Sequence, residues 1–175
     1  AYTSVLVQGS GTFAVEATIG SVVPAEGRLL VVSNGAYSKR ICLIADRLNI
    51  PFIEMTCSET AYPDPQQLDQ ILSTDLSITH VAMVHCETTT GILNPIRELG
   101  QIVKKYNRVL ILDAMSSFGG IPFMVDEIGV DYLISSANKC IQGVPGFGFV
   151  ICHRETFEKT QGYARSLSLD LYDQW

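Results

Sequence analysis

A three-layer α/β fold, with a mostly parallel sheet and helices on both faces, is predicted by two observations. Short β-branched runs recur along the chain with amphipathic stretches between them, which is the rhythm of strand and crossover helix. The runs are apolar throughout instead of alternating with polar residues, as strands covered on both faces require.

The elements follow in order. Strands are predicted at Thr3–Val7, Leu29–Val32, Pro51–Met55, His80–His85, Val109–Leu112, Asp131–Ser135 and Phe147–Cys152. Between them Val15–Val23, Ser38–Leu48, Asp64–Leu72 and Pro95–Lys105 place apolar residues three and four apart, which predicts crossover helices. Asn94-Pro95 reads as a cap followed by proline at the first helical position, and Lys104-Lys105 as the basic end of that helix. The last stretch, Ser166–Tyr172, alternates leucine with polar residues and reads either as extended chain or as the approach to another element. A chain that starts without Met and stops at Tyr172–Trp175, inside a patterned segment, is expected to be a piece of a longer protein.

The composition narrows the function. With 175 residues, 47% apolar and only 17% charged, the chain can bury a sizeable core, so disorder, collagen and coiled coil are excluded. The net charge of −6 and the absence of basic blocks speak against nucleic acid and an anionic membrane surface as partners. No apolar run approaches the ~18 to 20 residues that span a bilayer, and Ala1-Tyr2-Thr3 lacks the basic start of a signal peptide, so a cytoplasmic location is expected. Cys42, Cys57, Cys86, Cys140 and Cys152 form no C-x-x-C pair and are expected to be reduced thiols of the core; no metal site is expected.

In open α/β sheets ligands lie beyond the carboxyl ends of the strands, and four places there carry chemistry. Gly9-Ser10-Gly11-Thr12 follows the first strand and opens a helix, so it fits a phosphate cradle of free N–H groups and hydroxyls, or a plain Thr-capped turn. Read through Ala14 it also fits G-x-G-x-x-G/A, yet the second strand ends in Ser33-Asn34-Gly35, without the acid that a dinucleotide's ribose needs. Asp113 ends an apolar strand, where a carboxylate can keep a ring nitrogen protonated or simply cap a turn. Lys139 sits among small and apolar residues, where desolvation would make its amine nucleophilic enough for a Schiff base, although a snorkelling surface lysine fits as well. Glu87-Thr88-Thr89-Thr90-Gly91 is a hydroxyl-rich turn able to bond a polar cofactor edge, or an ordinary loop; His85 before it reads as a core histidine or as one that supports the site from behind. Cradle, strand-end acid and lysine in that order point to pyridoxal 5'-phosphate.

The strings Ser33-Asn34-Gly35-Ala36-Tyr37, His85-Cys86-Glu87-Thr88-Thr89-Thr90-Gly91, Asp113-Ala114-Met115-Ser116-Ser117-Phe118-Gly119-Gly120 and Ser135–Gly146, with the Gly9–Thr12 turn, resemble the class V aminotransferases. The likeness covers essentially the whole chain and is strongest to the branch acting on 2-aminoethylphosphonate and pyruvate. It implies the large domain of the type I pyridoxal-phosphate fold, with residues 1–175 as its core, and with an N-terminal segment and a small C-terminal domain outside the chain. It implies that Lys139 carries the cofactor and that Asp113 pairs with the pyridinium. Ser10, Gly11 and Thr12 would hold the phosphate with Asn138, Tyr37 would stack on the ring, and Thr88 or Thr89 would touch cofactor or substrate. It further implies a homodimer as the full-length protein, and a carboxylate-binding arginine in the small domain. Other aminotransferases of the class, a nicotinamide-binding domain and a noncatalytic binding module stand as alternatives.

Overall fold

The computed structural model describes all residues, Ala1–Trp175. In chain order the elements are β1 (Tyr2–Gln8), α1 (Gly11–Val22), β2 (Arg28–Ser33), α2 (Ala36–Arg47), β3 (Phe52–Thr56), α3 (Pro65–Thr74) and β4 (Ile78–Val84). A small hairpin of β5 (Cys86–Glu87) and β6 (Ile92–Leu93) leads to α4 (Ile96–Lys105), β7 (Val109–Asp113), α5 (Val125–Ile128), β8 (Tyr132–Ser136) and β9 (Phe147–His153). The chain ends in the short helices α6 (Arg154–Phe157) and α7 (Leu171–Gln174), with a 3₁₀ turn at Glu158–Thr160.

Seven strands form one sheet in the order β1-β9-β8-β7-β4-β2-β3. The pairs β3–β2, β2–β4, β4–β7 and β7–β8 are parallel, while β9 runs antiparallel to both β8 and β1. The reversal of β9 has a simple cause. The connection from Ser136 to Phe147 contains no helix, and a parallel return needs a crossover of a dozen or more residues.

The apolar strand runs serve two cores at once, because successive side chains point to opposite faces. Leu29, Val31, Ala82, Ile111 and Ile134 pack under α1 and α2, against Val15, Ile19 and Ile41. Leu30, Val32, Val81, Leu112 and Leu133 pack on the other side under α3 and α4, against Leu68, Leu72, Leu99 and Val103. These are the three predicted layers.

Most predicted boundaries shift by one to four residues, α1 the most, since it begins at Gly11. At α4 the cap differs from expectation: Pro95 takes the N-cap position, and Asn94 turns inward. Its amide donates to Val84 O at 2.8 Å and exchanges hydrogen bonds with the Asn34 side chain, tying the ends of β2 and β4 together. Ser166–Tyr172 is not a strand. Leu167 is exposed and Leu171 buried, and the Ser21 hydroxyl donates to Leu169 O at 2.9 Å and accepts from Leu171 N at 3.1 Å, leading the chain into α7.

Candidate active site

The strands β1, β7 and β8 deliver their carboxyl ends to one edge of the sheet, and the reversed β9 begins there. A cleft of about 380 Å³ opens at that edge. Side-chain parity decides what enters it. Ile111 packs toward α1 and α2 and Leu112 toward α4, so Asp113 points back to the α1–α2 side; one residue of slip would send it the other way. Asp113 lines the cleft with Ser10, Gly11 and Thr12 of the α1 start, Tyr37 of α2, and Asn138 and Lys139 of the loop after β8.

The turn into α1 relies on Gly9, whose φ of +117° lies outside the range side chains favour, and whose N–H donates to Gly146 O at 2.9 Å. That bond ties the α1 start to the mouth of β9. Ser10 holds the N-cap position without using its hydroxyl as a cap, and Thr12 lies inside the helix, so the Thr-capped turn is not what forms. The Thr12 Oγ1 accepts instead from Arg40 Nη1 at 3.2 Å. The first N–H groups of any helix lack intrahelical acceptors and carry the positive end of its dipole, so this corner is built to receive an anion.

Asp113 is buried, and its Oδ1 accepts from Met115 N at 2.9 Å. No protein donor reaches Oδ2. Burial pushes the carboxyl up to about 6, helped by the nearby Glu87 charge and opposed by the Met115 N–H, Arg40 and Lys139. A cation placed beside the free oxygen would reverse that rise.

Lys139 starts a tight turn: Gln142 N donates to Lys139 O at 2.8 Å, and Gly143 N to Ala137 O at 2.7 Å. A Cβ at Gly143 would sit 2.9 Å from the Ala137 oxygen, so the turn closes only around glycine. Contrary to the desolvation expected from its small and apolar neighbours, Lys139 is exposed, because residues 138 to 147 form the open rim of the cleft. No salt bridge engages its amine. Asn138 accepts from Ser136 Oγ through its Oδ1 at 3.0 Å, which leaves its amide N–H groups to donate.

Thr88 and Thr89 do not line the cleft. Thr88 Oγ1 lies 2.6 Å from the hydroxyl of Ser116, which does line it, while Thr89 is exposed on the hairpin turn. Conversely, the sequence pattern does not single out Arg40, although it lies three residues after Tyr37, a spacing that puts both on one helix face. Its guanidinium stands 4.9 Å from the centre of the Tyr37 ring. Glu87, by sequence only one member of a hydroxyl-rich turn, is fully buried and caps α2 from a distance: its carboxylate accepts from Tyr37 N at 3.2 Å, Ser38 N at 2.8 Å and Ser38 Oγ at 2.6 Å. A Cβ at Gly35 would approach the Glu87 carboxyl carbon to 2.6 Å, so Ser33-Asn34-Gly35 is shaped by that contact. No local signal announces it.

The cysteines divide. Cys42 and Cys152 are buried as expected and burial pushes both thiols up to about 12, whereas Cys57 and Cys86 are half-buried and Cys140 is exposed beside Lys139. The core expectation fails at Cys140 because it shares the open rim. His85 is buried and packs edge-on against Phe123 at 4.9 Å. No three His, Cys, Asp or Glu side chains stand together as metal ligands.

A family model described as "Aminotransferase class-V" matches residues 2–166. The chain is 63% identical over 99% of its length to the 2-aminoethylphosphonate–pyruvate transaminase of Vibrio vulnificus (strain CMCP6), and 59% identical to that of Syntrophobacter fumaroxidans. It covers 47% of each, so it spans about half the length of the curated relatives it matches. Among solved structures, the pyridoxamine–pyruvate aminotransferase of Mesorhizobium loti superposes with a TM-score of 0.90 at 26% identity, over 98% of this chain and 44% of that one.

Proposed function

The chain belongs to the class V aminotransferases, and from that premise we propose that the whole protein transfers the amino group of 2-aminoethylphosphonate to pyruvate, using pyridoxal 5'-phosphate. The products are phosphonoacetaldehyde and L-alanine. The observation that carries the reading is the convergence of a helix N-terminus, a buried strand-end carboxylate and an uncommitted lysine on one cleft. The choice of substrates rests on the 63% likeness to the Vibrio vulnificus enzyme.

The residues fit the cofactor. The α1 start with Ser10 and Thr12 offers N–H and hydroxyl donors to a phosphate, the free Oδ2 of Asp113 suits a protonated ring nitrogen, and the Lys139 amine suits an aldehyde. Bound there, pyridoxal phosphate supplies the carbonyl that amines condense with and the electron sink for the carbon being deprotonated.

The chain's own groups do the rest. Ser10, Gly11, Thr12 and Asn138 anchor the phosphate, and Tyr37 covers a face of the ring. Asp113 holds a proton at the ring nitrogen, which a buried carboxylate does best once a cation compensates its burial. Lys139 would hold the cofactor at rest, and its amine, once free, would move the proton of the substrate carbon as general base and acid. Thr88, linked to Ser116, is assigned to the substrate or cofactor edge.

We assign the whole protein to the cytoplasm and to a homodimer in solution; no helix here is long and apolar enough to cross a membrane. The test is single and direct. Full-length protein with pyridoxal phosphate, 2-aminoethylphosphonate and pyruvate is expected to yield alanine by proton NMR, and borohydride reduction to label Lys139. Transfer from serine, or to glyoxylate, with none from the phosphonate would move the protein to another branch of the class, and label scattered over surface lysines would sink the transaminase reading.

A further inference from the structure

The anion corner at the start of α1 is made of neutral donors: backbone N–H groups and the hydroxyls of Ser10 and Thr12. A phosphate monoester brings nearly two negative charges. Of the charged side chains around the cleft, Asp113 and Glu87 are acids, and the reading above reserves Lys139 for the cofactor's aldehyde. One cation remains.

That cation is Arg40, which reaches the cleft from α2. It forms no salt bridge with any carboxylate, and its one hydrogen bond goes to Thr12 Oγ1 at 3.2 Å, within the anion corner. Its guanidinium is stacked over the Tyr37 ring at 4.9 Å, which limits its swing and leaves its edge donors for other acceptors. The base of that arrangement is rigid. Glu87, fully buried, grips the first turn of α2 through Tyr37 N and Ser38, so the helix that carries Arg40 is fixed relative to the hairpin beside Asp113.

We propose that Arg40 is the cationic ligand of the cofactor's phosphate, adding charge-assisted hydrogen bonds to a cradle that otherwise holds it with neutral donors. The proposal rests on the pyridoxal-phosphate reading above. Arg40 pairs with no carboxylate, and beside the Tyr37 ring on which it stacks its one polar partner is the Thr12 hydroxyl, inside the anion corner.

The experiment compares full-length wild type, Arg40→Gln and Arg40→Lys after removal of cofactor, titrating each with pyridoxal phosphate and separately with pyridoxal, which lacks the phosphate. Arg40→Gln is expected to raise the Kd for pyridoxal phosphate about 10- to 100-fold and to leave that for pyridoxal within about twofold. Arg40→Lys, which keeps the charge without the planar fork, is expected to fall between. Equal weakening of both ligands would overturn the proposal in favour of a role in supporting Tyr37. Unchanged cofactor affinity with a raised KM for 2-aminoethylphosphonate would overturn it in favour of the substrate's phosphonate. The wild type separates the two levels: if it captures no pyridoxal phosphate at Lys139, the transaminase reading falls as well, whereas capture with an unaltered preference in both variants defeats only the role of Arg40. Should Arg40→Gln not fold, Arg40→Lys still decides by the ratio of the two affinities.

Discussion

Asp113 shows at the scale of one residue how a site costs stability. Its carboxyl titrates near 3.8 when exposed and is pushed up to about 6 by burial, so between those values the folded chain holds a proton that the unfolded chain has released. Stability from this group is therefore present at low pH and lost as pH rises through about 6, the reverse of a salt-bridged acid. His80 and His85, both held down to about 4 by burial, act in the opposite sense: their neutral burial is favourable near neutrality and is lost as pH falls from 6.5 toward 4. Replacing Asp113 by Asn isolates the first effect, since both histidines remain. Urea unfolding of the apoprotein at pH 8 is expected to show Asp113→Asn more stable than wild type by about 3 kcal/mol, with the gap closing toward pH 4. A gap independent of pH would mean that the carboxylate is not desolvated. The same variant is expected to lose the partner of the ring nitrogen, the trade of stability against function common at such sites.

Elements are held apart or together by single close approaches, and α4 supplies the sharpest case. Gly100 lies on its buried face, where a Cβ would come within 2.9 Å of Ile128 O and 2.8 Å of Ile128 Cγ2. Helix propensity favours alanine over glycine by about 1 kcal/mol, but Ile128 is the last residue of α5 and is followed by Gly129 at φ +74°, so that oxygen has little room to yield. Packing is expected to win: Gly100→Ala should lower thermal stability, by about 1–3 kcal/mol net. A Tm equal to or above that of wild type would show that α5 gives way. Gly148 of β9 plays the matching part on the other face, since a Cβ there would meet Ala14 of α1 at 2.7 Å; it lets the helix that forms the anion corner sit close to the sheet.

For the molecule as a whole, ligand and fold are coupled through the cleft edge, where α1, α2, β7 and the loop after β8 meet. A ligand that binds only the folded state at 100 times its Kd adds about 2.7 kcal/mol, so pyridoxal phosphate is expected to raise the Tm of the full-length apoprotein. Lys139→Ala should leave the apoprotein's Tm unchanged, because Lys139 is exposed and forms no salt bridge, while most of the cofactor-induced rise disappears. A lowered apoprotein Tm would instead assign Lys139 a structural role. Scanning calorimetry with and without cofactor distinguishes the two.

The sequence by itself determined the layers, the strands and four crossover helices to within a few residues, and the turn at Gly9–Thr12, Asp113 and Lys139 as the places where chemistry could sit. Those features are written in contiguous residues: period, turn-forming glycines, and a polar group at the end of an apolar run. Only the tertiary structure decided that β9 runs backward, that Asn94 bonds Asn34 instead of capping α4, that Thr88 reaches the cleft only through Ser116, and that Lys139 and Cys140 stand exposed on a rim. It also brought Arg40 to Thr12 and Glu87 under α2, pairings between residues 28 and 49 or more positions apart. The physical reason is common to all of these. Backbone propensity and hydrophobic period act over one element, whereas exposure and side-chain partnership depend on which distant segments pack together, and several arrangements of the same elements satisfy the local signals equally well.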